Sequence, residues 1–223
     1  MNQRTSLPCF LLAAGRGERM RPLTDNLPKP LLTIQNKSLL AWHLEALANA
    51  GIKKVVINHA WLGHKIEESL GAGDEFGLQI QYSPEETALE TAGGIVKALP
   101  LLQADDYFLV INGDVFCPNL PINQILEEVS KIKNQASPIL AHLLMVPNPV
   151  QHPNGDFYLQ GNRVSTQEGS DSEKLTFSGI GIYHKDLFQN LEIGSPAKLA
   201  PLRSEEHTSE LQSPMYLVCR LLL

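Results

Sequence analysis

Short runs of β-branched and aromatic residues alternate along this chain with amphipathic segments of helical period, and few folds can satisfy that alternation. Phe10-Leu11-Leu12 is an apolar run ending in a Gly-rich turn, as a buried strand would. Ser38 can cap a helix over Leu39–Ala50, in which Leu40, His43, Leu44 and Leu47 share one face and Gly51 supplies the stop. Lys54–Asn58 is a β-branched strand. Gly63–Leu70 reads as a helix closed by Gly71, Gln79–Tyr82 as a half-exposed strand, and Thr91–Leu99 as a helix. Tyr107–Ile111 is an apolar strand running into Asn112-Gly113-Asp114. Pro121 opens a helix with Ile122, Ile125, Leu126, Val129 and Ile132 on one face, and Ile139–Val146 and Phe177–Tyr183 are further strands. Strands alternating with helices predict an α/β fold, a Rossmann-like and mostly parallel sheet with helices on both faces.

Composition narrows the function classes. The 223 residues carry 18 Lys+Arg against 24 Asp+Glu, a net charge of −6, and 43% are hydrophobic. That apolar content excludes a disordered chain. The mild acidity argues against a nucleic-acid partner, which would meet a basic face. No uncharged apolar run reaches the roughly 18–20 residues that cross a membrane, and the N-terminus leads into too short an apolar run for a signal peptide. Cys9, Cys117 and Cys219 lie far apart with no CxxC pair, so neither a disulfide framework nor a zinc knuckle is expected, and the cytoplasm is the expected compartment.

Ligands of such sheets sit beyond the carboxyl ends of the strands. That rule selects the turns after Leu12 and after Ile111. The first reads Ala13-Ala14-Gly15-Arg16-Gly17-Glu18-Arg19-Met20-Arg21-Pro22-Leu23-Thr24, with Pro28-Lys29-Pro30 following. Its glycines let backbone N–H groups approach a phosphate, Arg19 and Arg21 add cationic donors, and two prolines restrict Lys29. It is not a P-loop, since no Gly-Lys-Ser/Thr follows, and Met20 stands where a dinucleotide fingerprint needs a third glycine. A tight turn without ligand is the competing reading of the Gly-x-Gly alone. Asp114 reads either as a metal carboxylate or as a turn former. His59 and His64 lack further ligands nearby, and Trp42 and Trp61 read as packing residues. Glu127-Glu128 reads as a solvated helix face, and Cys9 and Cys117 as bystanders.

The first turn resembles the signature of the sugar-1-phosphate nucleotidyltransferases, Gly-x-Gly-x-Arg-(Leu/Met)-x-Pro-Leu-Thr followed by Pro-Lys-Pro. Val110-Ile111-Asn112-Gly113-Asp114-Val115 resembles the family's metal-binding strand end. Val56–Gly63, Tyr82–Glu85, Leu89–Ile95, Asn148-Pro149, Gly155–Phe157 and Phe177–Ile180 extend the resemblance from about Leu11 to Leu202, towards the branch that uridylylates N-acetylmuramate 1-phosphate in cell-wall recycling. The resemblance implies a nucleotide-diphospho-sugar transferase fold, with UTP and a sugar 1-phosphate as substrates, pyrophosphate as product and Mg²⁺ as cofactor. It implies that Gly15 and Gly17 cradle the nucleotide phosphates, with Ala13 and Ala14 against the nucleoside. Arg19 would stabilise the triphosphate charge and Lys29 would bridge the two substrates. Ser83, Glu85 and Gly93 would surround the uracil or ribose. Asn112, Gly155, Asp156 and Gly179 would line the sugar pocket, and Asp114 would hold Mg²⁺. Another nucleotide (TTP, GTP or CTP), another sugar, or a non-catalytic nucleotide-sugar-binding module remain alternatives.

Two departures bear on that expectation. Residues before Leu11, with Pro8 among them, replace the family's opening strand. At the other end, the segment 203–223 begins Arg203-Ser204-Glu205-Glu206-His207-Thr208-Ser209-Glu210, which resembles a translated sequencing adapter; a native polar linker is the alternative. The expected organisation is therefore a C-terminally truncated nucleotidyltransferase domain over 1–202 and an extraneous tail over 203–223. The family's Trp-x-Asp-(Val/Ile)-Gly-Thr element, bearing a second metal carboxylate, does not occur in this sequence. Half a metal site and little or no turnover are the corresponding expectations.

Overall fold

A computed structural model describes residues 7–135, 138–170, 172–204 and 208–211 of the chain; residues 1–6, most of the tail and Cys219 lie outside them. The first part contains β1 (Cys9–Leu12), the hairpin β2 (Thr33–Ile34) and β3 (Lys37–Ser38), α1 (Leu39–Asn49), β4 (Lys54–His59) and α2 (Gly63–Leu70). Next come β5 (Gln79–Pro84), α3 (Glu90–Leu102), β6 (Tyr107–Asn112) and α4 (Ile122–Ile132). The remainder is β7 (Ala141–Val146), β8 (Phe157–Gln160), β9 (Arg163–Ser165), β10 (Glu173–His184) and β11 (Thr208–Leu211).

The expected α/β class holds, with a mixed sheet ordered β5-β4-β1-β6-β10-β7-β11-β9-β8. β5, β4, β1 and β6 are parallel, while β10 runs antiparallel to both β6 and β7. The backbone of β11, from the segment expected to be extraneous, pairs in parallel with β7. Arg203 packs its guanidinium over the Phe177 ring, 4.1 Å from the centroid.

Alternation along each central strand divides the core. Cys9 and Leu11 of β1, with Val55, Ile57, Leu109 and Ile111, meet Leu40, Leu44 and Leu47 of α1, Ile66 of α2 and the Ile122, Ile125, Val129 and Ile132 stripe of α4. Phe10, Val56, Phe108 and Val110 point the other way, onto Ala92, Ile95, Val96, Ala98 and Leu102 of α3. Both faces of β1 and β6 are thus covered, which is why these strands are apolar throughout. Each such Leu or Ile contributes roughly 1.5–3 kcal/mol by burial. The Ser38 hydroxyl accepts the Ala41 N–H at 3.2 Å, capping α1 as its position predicts.

Several elements differ from expectation. Helix α3 continues past Pro100 to Leu102, because Leu102 is fully buried and Gln103, in a left-handed conformation, donates its N–H to Leu99 O. β10 is 12 residues long rather than seven; it carries a bulge between Phe177 and Gly181, with Gly179 at φ 88°. The β8–β9 hairpin follows Gly155-Asp156 and pairs with the start of β10, a long-range partner invisible to local pattern. Cys9 and Cys117 sit in the core. No helix among the described residues is long and apolar enough to cross a membrane.

Buried histidines make stability pH-dependent, and His142 shows how. His142 of β7 is 4% exposed, and burial lowers its pKa from 6.5 to about 4, against a raising influence of Glu128 and with a lowering one from Lys131. The unfolded chain takes up this proton near pH 6.5, whereas the folded chain refuses it until about pH 4. Stability therefore falls as the pH drops through that window, by on the order of 3 kcal/mol from this group. Urea denaturation at pH 7 and pH 4.5 should show His142→Leu losing about 2 kcal/mol less than the unaltered protein on acidification.

Candidate active site

Strand register places four residues in one row at the carboxyl edge of the parallel strands. Leu12 pairs with Asn58 and Asn112, and Asn58 pairs with Ser83. The chain leaves β1 towards β4 on one side and returns to β6 on the other, so this edge is a topological switch point. A cavity of about 860 Å³ opens there. Ala13, Ala14, Gly15, Gly17 and Arg19 line it from the first turn, and Lys29, Glu85, Asn112 and Asp114 form other parts of its wall.

The first turn is shaped by its glycine and its threonine. Gly17 adopts φ 68°, ψ 32° and starts a 3-10 turn over Glu18–Met20; its carbonyl accepts Met20 N–H at 2.9 Å and the Thr24 hydroxyl at 2.8 Å. A Cβ on Gly17 would stand 2.9 Å from Lys29 Cβ, so a side chain here is opposed by both conformation and space. Lys29 opens a second 3-10 turn between Pro28 and Pro30. Its side chain is largely buried, and Nζ donates to Asp114 Oδ2 at 2.6 Å.

Asp114 is held through its neighbours. Gly113 N–H donates to Leu12 O at 2.9 Å, tying the turn after β6 to the end of β1. His43 of α1 lies 2.7 Å from Val115 O through Nε2. Burial lowers the His43 pKa to about 4, with the Val115 bond and the nearby Asp114 charge opposing the shift. The ring is therefore neutral at pH 7, and because a carbonyl only accepts, the proton lies on Nε2.

A buried polar chain joins the first turn to the opposite wall. Ala13 N–H donates to Asn58 Oδ1 at 2.7 Å, and Asn58 Nδ2 donates to Glu85 Oε1 at 2.7 Å. Glu85 Oε2 in turn accepts Leu89 N–H at 3.3 Å, just ahead of α3. A Cβ on Gly94 of α3 would lie 2.7 Å from Glu85 Oε1, so this glycine lets the carboxylate pack flat on the helix.

Six residues singled out from the sequence lie outside the lining; one of them, Arg21, expected to add a cationic donor, is exposed and pairs with Asp25 at 3.2 Å. Ser83 is buried beside Asn58 in the row, and Gly93 packs against the 195–197 backbone, where a Cβ would meet Ser195 O at 2.5 Å. Gly155, at φ 58°, packs on Asn148 Oδ1 and Leu175 O. Asp156 accepts Phe177 N–H at 2.9 Å and contacts His152 at 3.1 Å. Gly179 lies behind Asn112 at the β10 bulge. Trp42 packs edge-on against Phe116, as expected of a packing residue, and His59 pairs with Glu67. Trp61 instead lines the cavity, as do Arg16, Asn58, Glu90 and Thr91, none of which the motifs singled out as site residues. Asn58 was detectable as a polar end to the run Val55-Val56-Ile57. Glu90, at φ 58°, has no local signal for its left-handed conformation.

The cavity combines a turn with open backbone, two lining arginines, a lysine and a single half-exposed aspartate. It is suited to polyanions that approach from solvent and meet fixed cations. Among the described residues no group of three metal-ligating side chains occurs.

Residues 9–155 match the family described as Nucleotidyl transferase. The chain is 49% identical over 201 residues to the N-acetylmuramate alpha-1-phosphate uridylyltransferase of Neisseria meningitidis serogroup B, covering 89% of this chain and 85% of that protein. It is 36% identical over 120 residues to a mannose-1-phosphate guanylyltransferase catalytic subunit beta of Drosophila pseudoobscura pseudoobscura, covering 53% of this chain and 32% of the relative. The crystal structure of HddC from Yersinia pseudotuberculosis complexed with GMP-PN superposes with a TM-score of 0.70 at 19% identity, over 92% of this chain and 89% of that one, a likeness of fold.

Removal of the Asn58 amide tests the polar chain. Asn58→Ala leaves Ala13 N–H and the Glu85 carboxylate without this partner in a buried setting, and should destabilise by roughly 2–4 kcal/mol in urea denaturation. Asn58→Asp keeps the acceptor and the shape but sets a carboxylate against Glu85, so its midpoint should fall at least as far as that of the alanine variant.

Proposed function

Since the chain belongs to the nucleotidyl transferase family, we propose that its cavity binds UTP and N-acetylmuramate 1-phosphate and joins them with release of pyrophosphate. The observation that carries this reading is the convergence of the glycine turn, Arg19, Lys29 and Asp114 on one cavity at the switch point. The choice of uridine and of N-acetylmuramate draws on the Neisseria relative.

In this reading an oxygen of the sugar phosphate attacks the α-phosphorus of UTP in line. The new bond joins that oxygen to the α-phosphorus, the α-phosphorus bond to the bridging oxygen breaks, and pyrophosphate carries off the electron pair. No covalent bond to the protein is needed, so the protein contributes position and charge. Gly15 and Gly17 present backbone to the triphosphate, with Ala13 and Ala14 beside the nucleoside. Glu85 lies on the base side, braced by Asn58. Lys29 spans the two anions: one of its N–H donors is engaged by Asp114, which leaves others for phosphate oxygens. Arg19 faces the departing pyrophosphate. Asn112 faces the sugar, with Gly179 behind it, and Gly155 and Asp156 brace the adjoining β8–β10 segment on that side. Ser83 and Gly93 likewise support the nucleoside side.

Asp114 fits a Mg²⁺ site of the kind that uses one carboxylate and completes its shell with substrate phosphate oxygens, for its carboxylate is 42% exposed at the cavity. Bound there, the ion supplies neutralisation of phosphate charge.

Calorimetric titration with UTP, GTP, CTP and TTP in Mg²⁺ should place UTP tightest by about tenfold or more, about 1.4 kcal/mol. With a non-hydrolysable UTP analogue bound, N-acetylmuramate 1-phosphate should bind more tightly than mannose or glucose 1-phosphate. Preference for GTP and mannose 1-phosphate would overturn the substrate assignment. Arg19→Ala should lower the rate of pyrophosphate release roughly a hundredfold while moving UTP affinity little, as for loss of a donor that acts on transition-state charge. A change confined to KM would remove that role.

A further inference from the structure

Arg16 occupies the position between the two glycines, and the proposed reaction assigns it no part. Its guanidinium carbon lies 4.7 Å from the centroid of the Trp61 ring. Trp61 is 37% exposed, an unusual setting for so large an apolar ring, and both residues line the cavity. The Arg16–Glu18 ion pair is 3.7 Å long between exposed groups and contributes little.

Trp61 is itself fixed. Its indole N–H donates to Thr24 O at 3.3 Å, and Thr24 is the residue whose hydroxyl holds Gly17 O. Leu62, directly after it, takes the left-handed conformation at φ 54° at the N-cap of α2. The tip at Gly15 is open by contrast: a Cβ there would meet nothing within 4 Å. The half-exposed cation at the tip of the turn therefore rests on a ring anchored to the base of the same turn.

We propose that Arg16 is a polyphosphate-binding cation of this site and that Trp61 is its positioning residue, an assignment that rests on reading the cavity as a triphosphate site. Stacking on the indole engages the guanidinium as a cation and leaves its N–H donors for phosphate oxygens. It also reduces the rotamer freedom that a long exposed arginine would otherwise lose on binding. The charge and the covered ring face favour the phosphate end of the ligand over the base.

The test is a double-mutant cycle read by calorimetry with two probes, UTP and inorganic tripolyphosphate. Arg16→Ala and Trp61→Ala should each weaken both ligands about tenfold, and the double variant should be scarcely weaker than either single one. Trp61→Phe keeps a ring face but drops the anchoring indole N–H, so its affinity should lie between those of the unaltered protein and Trp61→Ala. Unchanged affinity in Arg16→Ala, additive losses in the double variant, or Trp61→Phe as weak as Trp61→Ala would each overturn the assignment. Tripolyphosphate following the expected pattern with no gain from the uridine moiety would keep the assignment and overturn the UTP reading. Failure of the unaltered protein to bind either probe would overturn both.

Discussion

Asn58, next to last in β4, has both sides of its amide engaged, the oxygen by Ala13 N–H and the nitrogen by Glu85, and all three groups are withdrawn from water. The first turn after β1 starts at Ala13, and the approach to α3 starts at Glu85. A buried amide with one acceptor and one donor committed in this way has a single orientation. It fixes the two walls of the cavity relative to one another, because a shift of either wall would strand a polar group in a low-dielectric interior. Gly94 belongs to the same arrangement, since it alone allows the helix to lie against the Glu85 carboxylate.

The Lys29–Asp114 pair performs the corresponding task for charge. It links the element after the first turn to the end of β6, with the lysine mostly buried and the aspartate open to the cavity. Asp114 cannot drift, for Gly113 is bonded to the end of β1 and Val115 to a neutral histidine of α1. A preformed pair of this type keeps both charges in place before an anion arrives, so less reorganisation is required when it does.

The antiparallel half of the sheet acts as a buttress. β10 lies against β6, and its bulge brings Gly179 behind Asn112, where a side chain would press on the asparagine. Asp156 fastens the turn ahead of β8 to Phe177 of β10. Gly179 thus bears on the cavity wall at Asn112 without reaching the cavity itself.

Much of this was legible in the residues. The period-two and helical patterns locate the central strands and helices, since a strand covered on both faces must be apolar throughout, and a covering helix must be apolar on one face. Gly15, Gly17, Arg19, Lys29 and Asp114 could be singled out because glycine, prolyl constraint and charge are local chemistry. Tertiary structure decided what local chemistry does not encode. The direction of β10 and the pairing of β8 with it come from partners distant in sequence. The left-handed Glu90 is imposed by its surroundings, against its own preference. Asn58, Trp61 and Arg16 gain their significance only when register and crossover bring the ends of β1, β4 and β6 to one edge, for their partners lie tens of residues away along the chain.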